Sequence, residues 1–288
     1  MKANVGKSKG RTPGKHELLN AVLGKQIGAF TRLRQRYQWS IPFVIIDLCA
    51  GDGFDTEESG TCSPRIITKH SQWLRGRIKD DNASAVILIE KDSNTFDLLR
   101  NRYDDFGCVI LKGDSNSDSV VTDVKSVLEG LGLTPKCPVF IHHDPNSVAN
   151  WCLREEYLEL SDLVTTMVTM GCNVGGVKRM ELSERQEWFD NFKLLRSHVK
   201  RTMGRLDLCL IALNNDASKW AYALSVPSKW RSDTVDAVYT AFRYWGKGIE
   251  LEWMNGNHSQ FDCLQYKLFL TKKEFEQKEL MEGISHDS

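Results

Sequence analysis

Three acidic side chains stand at the ends of apolar runs: Asp47 before the small residues Cys49-Ala50-Gly51-Asp52-Gly53, Glu90 with Asp92 just beyond, and Asp114 between Gly113 and Ser115. A turn of small residues lets a ligand approach the backbone, and glycines accept dihedrals that other residues resist. A carboxylate at the end of the second run can accept both hydroxyls of a ribose, and an acid or amide in the Gly113–Asn116 stretch can receive the amino group of an adenine. A fourth run ends in His142-His143-Asp144-Pro145-Asn146, which would deliver polar atoms where a substrate meets that ligand. The chemistry in view is a nucleoside cradle with hydrogen-bonding or proton-accepting groups at its mouth.

Other readings of the same residues are weaker. A nicotinamide fingerprint needs G-x-G-x-x-G, and Thr56 stands where the third glycine would fall. No Gly-Lys-Ser/Thr opens a helix after a strand, and the Gly6-Lys7-Ser8 match has no strand before it, which excludes a P-loop. Successive strand residues point to opposite faces, so His142 and His143 cannot both face the ligand. One of them serves as a general base, or each is a satisfied core histidine. The same divergence argues against a His-His-Asp metal centre, and no metal is expected.

These residues need elements to hold them. Residues 15–37 place Leu18, Leu19, Val22, Leu23, Ile27, Phe30 and Leu33 at helical spacing. Pro42 precedes a strand over FVIIDL, a helix follows over 64–78, and a buried strand over 84–92. NTFDLLRNRY predicts a helix, 107–114 a third strand, DSVVTDVKSVLEGLG a helix ending at glycine, and 137–147 a fourth strand stopped by Asp-Pro. YLELSDLVTTMVTMGC contributes a helix and a strand, 183–203 a long helix and 206–215 a further strand. WAYALSVPSKW, KGIELEWMN and CLQYKLFLT read as antiparallel edge strands. The expected class is α/β: a Rossmann-like, mostly parallel central sheet with helices on both faces and antiparallel C-terminal edge strands. In such sheets ligands lie outside the carboxyl ends of the strands, where the acids are.

The organisation expected is a disordered basic tail over 1–14, an N-terminal helical cap over 15–42, the Rossmann domain over 43–225, and a C-terminal α+β extension over 226–288 packed on it. The eight cysteines form no C-x-x-C pair and no zinc spacing, which fits small buried apolar residues in a reducing compartment. With no apolar leader and no run long enough to span a bilayer, the chain is read as cytoplasmic and soluble, without a membrane partner. Net charge is zero, yet residues 1–36 hold nine lysines and arginines against Glu17 alone. That segment is either a solubilising arm or one that contacts phosphates.

The ordered set IIDLCAGDGF, VILIEKD, LKGDSNSD and FIHHDPNS resembles the class I S-adenosylmethionine-dependent methyltransferases. The resemblance implies S-adenosylmethionine as cofactor. Asp47, Ala50, Gly51 and Gly53 would cradle its amino-acid end, Glu90 its ribose, and Asp114 with Ser115 its adenine. The long connection between the first two strands carries a Gly-x-x-Ser-Pro element (GTCSP). Together with KHELL before it and NVGGVKRMELSERQEWF after, it is similar to the three-Cys-motif partner proteins of phages and mobile elements. That likeness covers roughly residues 14–225. It implies a three-Cys-motif protein as a possible partner.

Asp144-Pro145-Asn146-Ser147 resembles the Asp/Asn-Pro-Pro-aromatic motif of amino-methylating nucleic-acid enzymes, with Asn146 in place of the second proline and Ser147 in place of the aromatic. On that likeness Asp144 and Asn146 are candidate catalytic residues, and His143 joins them as the candidate general base. Trp151 is either the stacking surface or, as is commoner four residues into a helix, core. Lys178 and Arg179 after Gly175-Gly176 suit contact with a phosphate, or a solvated helix face balanced by glutamates. The function expected is methyl transfer to nucleic acid. The alternative is a methyltransferase-like binding or scaffold protein that works with a partner and transfers nothing.

Overall fold

The computed structural model describes residues 12–54, 61–133, 136–145, 153–172, 206–213, 219–227, 230 and 249–253. In chain order the elements are α1 (Thr12–Tyr37), β1 (Phe43–Asp47), α2 (Ser63–Ile78), β2 (Ser84–Glu90), α3 (Ser93–Tyr103), β3 (Val109–Lys112), α4 (Asp118–Gly130), β4 (Pro138–His143), α5 (Glu155–Leu158), β5 (Leu163–Cys172), β6 (Leu206–Leu213), β7 (Lys219–Pro227) and β8 (Ile249–Trp253). The helix ends follow local chemistry. Pro64 opens α2 and Lys79 closes it in the left-handed conformation, while Asp92 and Ser117 cap α3 and α4 by accepting from the Thr95 and Val120 N–H groups.

The strands form one eight-stranded sheet in the order β3-β2-β1-β4-β5-β7-β6-β8. β1 pairs in parallel with β2 and β4, β2 with β3, and β4 with β5. β7 runs antiparallel between β5 and β6, and β8 pairs antiparallel to β6. The class is α/β with a mostly parallel sheet. One expectation is corrected: WAYALSVPSKW is antiparallel but is no edge strand, since β7 is hydrogen-bonded on both sides. β6 and β7 are separated by only five positions in sequence and pair antiparallel from Leu206↔Pro227 to Leu213↔Trp220. β7 occupies the position between β5 and β6, pairing with both.

Alternation along the strands makes two cores. Val44, Ile46, Ile87, Ile89, Val139 and Ile141 face α4 and α5. Phe43, Ile45, Val86, Leu88 and Phe140 face the other way, onto α1, α2 and α3. On α1 the residues Leu18, Leu19, Val22, Leu23, Ile27 and Phe30 are all fully buried there. Each such side chain contributes about 2 kcal/mol of burial, so this helix is an integral layer of the domain. It begins at Thr12, inside the stretch whose composition suits a tail. Trp230 belongs to the same core. Among the described residues no helix is long and apolar enough to cross a membrane. The expected helix over 183–203 and the strand over 263–271 lie outside the described residues.

Candidate functional site

The turn after β1 is tied to both neighbouring strands: Leu48 N–H donates to the His142 carbonyl and Ala50 N–H to the Ile89 carbonyl, each at 2.9 Å. This places the buried Ala50 and the half-buried Gly51 over the carboxyl ends of β1 and β2. Gly51 has φ +65°, and a Cβ added to it would meet no atom within 4 Å. Its N–H donates to Glu90 Oε2 at 2.8 Å, while the Asp92 N–H donates to Oε1 at 2.8 Å. Glu90 is thus oriented by two backbone bonds, with a further lone pair on each oxygen. Burial lifts its carboxyl above the ordinary range, against those N–H groups, which pull it down.

Gly53 serves a different end. It also has φ +65°, but a Cβ there would lie 2.3 Å from Tyr103 Cε2. Tyr103 donates its hydroxyl to the Gly53 carbonyl at 3.1 Å, and Arg102 donates to the Asp52 carbonyl at 2.6 Å while stacking over the Phe54 ring. One glycine leaves space and the other lets α3 clamp the turn.

Asp47 is fully buried. Its Oδ1 lies 3.0 Å from His142 Nδ1 and accepts from Cys49 N–H at 3.4 Å, whereas Oδ2 has no hydrogen-bond partner among the described residues. A buried carboxylate oxygen is costly without a donor, so this one is suited to accept from an ammonium or a hydroxyl. Burial works against charge on His142, yet the Asp47 carboxylate, through charge and hydrogen bond, outweighs it and holds the imidazole above its ordinary pKa.

On the third strand end, Gly113 N–H donates to the Glu90 carbonyl. Asp114 takes Lys91 Nζ on one oxygen at 2.5 Å and the Asn116 N–H on the other at 3.0 Å. Ser115 is buried. This loop is held from beyond β4: Tyr157 donates its hydroxyl to the Ser115 carbonyl at 2.7 Å, and Arg154 donates to the Asn116 carbonyl at 3.0 Å while pairing with Asp118 and Glu156. Neither Tyr157 nor Arg154 carries a sequence signal beyond a short helix.

At the end of β4, His143 Nδ1 lies 3.6 Å from Cys49 Sγ. Burial, followed by the surrounding carboxylates, pushes that thiol well above its ordinary pKa, so Cys49 stands neutral. Asp144 receives Lys15 of α1, with Nζ at 2.9 and 3.1 Å from its two oxygens. Burial would raise the Asp144 carboxyl, but the charge and hydrogen bonds of Lys15, aided by His142, hold it below the usual range. Beside them His16 is lowered to about 4 by burial first and then by the His142 charge. In sequence, Lys15 is one member of a basic arm. Its role here is fixed by α1 packing its first turn against the end of β4.

The structure therefore gathers Asp47, Ala50, Gly51, Gly53, Glu90, Asp114, Ser115, His143 and Asp144 at the carboxyl ends of β1, β2, β3 and β4. Asn146, Trp151, Lys178 and Arg179 lie outside the described residues. An ammonium or hydroxyl donor fits the buried Asp47 oxygen, a diol fits Glu90, and the empty side of Gly51 admits a backbone-hugging ligand. These are the groups that S-adenosylmethionine presents.

No protein-family model and no curated protein matches the sequence. Among solved structures, the chain is similar to protein LPL1258 from Legionella pneumophila, with 11% identity, 82% of this chain and 96% of that chain covered, and a TM-score of 0.44. It is similar to an O-methyltransferase from Bacillus cereus in complex with SAH, at 11% identity with 77% and 84% covered and a TM-score of 0.44. It is also similar to the methyltransferase subunit of a type I restriction-modification system from Streptococcus thermophilus, at 10% identity with 75% and 44% covered and a TM-score of 0.38.

Proposed function

We propose that the chain is an S-adenosylmethionine-dependent methyltransferase whose acceptor is nucleic acid. The observation that carries the reading is the convergence of Asp47, Glu90 and the open side of Gly51 at adjacent strand ends, with one Asp47 oxygen buried and without a donor among the described residues. Asp47 would hold the cofactor's ammonium, Glu90 its ribose hydroxyls, and the loop at Asp114 and Ser115 its adenine. When bound, the cofactor supplies an electrophilic methyl group on a sulfonium.

The protein's own contribution is alignment and a place for a proton. Asp144 is held as a carboxylate by Lys15, so it can only accept hydrogen bonds. It therefore selects an acceptor that carries N–H or O–H, such as a base amino group. It also orients the acceptor's lone pair away from the carboxylate. Lys15 occupies one lone pair on each oxygen and the Thr169 side chain further favours the charged form, which leaves part of the carboxylate's acceptor capacity for the substrate. Its charge keeps Asp144 a weak base, suited to orienting an N–H rather than to removing a proton before attack.

Calorimetric titration with S-adenosylmethionine and S-adenosylhomocysteine, on the wild type and on Asp47→Ala and Glu90→Ala, tests the reading. Saturable binding lost in both variants supports it. Absence of binding to the folded wild type, with none restored by added nucleic acid, overturns it and leaves a binding protein built on the same fold.

A further inference from the structure

The molecule is electrically neutral overall, with 38 basic and 38 acidic residues, but among the described residues the exposed charges of α4 and of the α1–α2 pair are opposite in sign. On the α4 side, α4 exposes Asp118, Asp123 and Glu129 against Lys125 alone. On the other side, α1 exposes Lys25, Arg32 and Arg36 with Glu17 as its one acid, and α2 exposes Arg65, Lys69 and Arg77 and contains no acid at all. The remaining cations of these helices turn inward: Lys15 pairs with Asp144, Arg34 with Asp80, and Arg75 donates to the Ser84 carbonyl. Six outward cations on a neutral chain reflect segregation of charge onto one face.

That face also carries aromatic rings in water. Trp73 is 52% exposed and Tyr37 53%. Arg65, Lys69, Trp73 and Arg77 follow one another at intervals of four, so they line a single stripe of α2, with about 6 Å of helix rise between neighbours and about 18 Å from first to last. Solvated charge alone would not require a half-exposed tryptophan between Lys69 and Arg77. Tyr37 stacks on Trp39 at 5.7 Å with Arg36 over its ring.

The two helices are joined and oriented toward the site. Asn20 and His70 are 2.9 Å apart, and a Cβ on Gly24 would come within 3.0 Å of the His70 ring, so close helix contact depends on that glycine. Both helices start at the carboxyl end of the sheet: Lys15 in the first turns of α1 reaches Asp144, and α2 follows the glycine turn after β1. The stripe therefore begins beside the candidate site at Arg65 and runs away from it.

We propose that this α1–α2 face is the track along which a single-stranded segment of nucleic acid lies, its phosphates on Arg65, Lys69 and Arg77 and an unpaired base on Trp73. The proposal rests on the nucleic-acid reading above and assigns it a surface. A row of cations tracks a backbone without reading sequence, and an indole stacks any base that is free to leave its neighbours. Specificity thus falls to the groups around Asp144.

The test is fluorescence anisotropy of labelled single-stranded RNA, single-stranded DNA and duplex DNA with the full chain. It compares the wild type, an Arg65→Ser/Lys69→Ser/Arg77→Ser triple variant, and Trp73→Ala. The expected result is salt-dependent binding whose log–log slope falls by about 2 on single strands in the triple variant, with affinity at low salt lowered at least about tenfold. Trp73→Ala is expected to weaken single-strand binding about tenfold and to spare the duplex. All substituted side chains are exposed, and retained S-adenosylmethionine binding or an unchanged circular dichroism spectrum establishes that each variant is folded. Unchanged affinity and slope in the folded triple variant overturn the track. So does polyglutamate bound as tightly as the oligonucleotides, which would point to an acidic protein instead. Loss of oligonucleotide binding in the triple variant supports the track even if the wild type proves not to bind S-adenosylmethionine, so the two readings fail separately.

Discussion

Lys15 and Asp144 are separated by 129 positions, yet the lysine ammonium sits within 3.1 Å of both oxygens of the carboxylate. Both side chains are largely withdrawn from water. Removing one partner of such a pair leaves the other charge inadequately solvated. In Lys15→Met the Asp144 carboxyl is expected to rise toward or above its ordinary range, and the variant to lose about 2 kcal/mol of stability by urea unfolding, less than a fully buried pair would cost. Methyl transfer should fall while cofactor affinity stays the same. Lys15→Arg, which keeps the charge, should recover part of the rate. A parallel loss of cofactor binding in Lys15→Met would show that the pair only holds the fold.

Gly51→Ala and Gly53→Ala should separate ligand space from packing. Both residues have φ +65°, so each substitution costs about 1 kcal/mol from backbone conformation. The new methyl at 53 would also strike the Tyr103 ring, and a total near 3 kcal/mol is expected. At 51 the methyl enters open space, so thermal unfolding should shift little while cofactor affinity drops at least about tenfold. Equal stability losses in the two variants would contradict the packing around the turn.

Cofactor affinity should weaken on acidification at a higher pH than an ordinary glutamate would give. The burial-raised carboxyl of Glu90 takes up a proton before solvent-exposed acids do, and a protonated Glu90 has lost acceptor capacity for a diol. Titrations across pH on the wild type and on Glu90→Gln check this. The variant should bind weakly throughout and lose the dependence on pH.

The two histidines near Asp47 should bend the stability profile in opposite senses. His142 has a raised folded pKa, so its contribution is fully present below the unfolded value of about 6.5 and is lost as pH rises through the folded one. His16 is lowered to about 4, so the unfolded chain binds its proton first and stability is lost as pH falls from about 6.5 to about 4. Urea unfolding of His142→Gln should flatten the profile above about 6.5, and that of His16→Gln should flatten it below.

The clamp on the third strand end gives a milder test. Tyr157→Phe removes the hydroxyl that donates to the Ser115 carbonyl at 2.7 Å, leaving a buried acceptor short of a donor at about 1 kcal/mol. Cofactor affinity should fall several-fold, with the acceptor's KM unchanged. A change confined to the acceptor would show that this loop does not face the cofactor.

The local pieces follow from short stretches of residues. Runs such as FVIID and SAVILIE are too apolar and β-branched to stand anywhere but inside a sheet, and the stripe from Leu18 to Phe30 has the period of a half-buried helix. The residues that end each run, Asp47, Glu90, Asp114 and Asp144, were legible because a parallel sheet puts every carboxyl end on one side. Partnership, in contrast, is set by the folded chain. Nothing local tells Lys15 from the other cations of its arm, or joins Tyr157 to Ser115. Nor does β7 announce that it will lie between β5 and β6 and not at an edge. Periodicity and turn chemistry act over a few residues, whereas these contacts exist only with α1 packed on the sheet and β7 paired between β5 and β6. Their energies come from burial and charge pairing across the fold, which no short window of sequence contains.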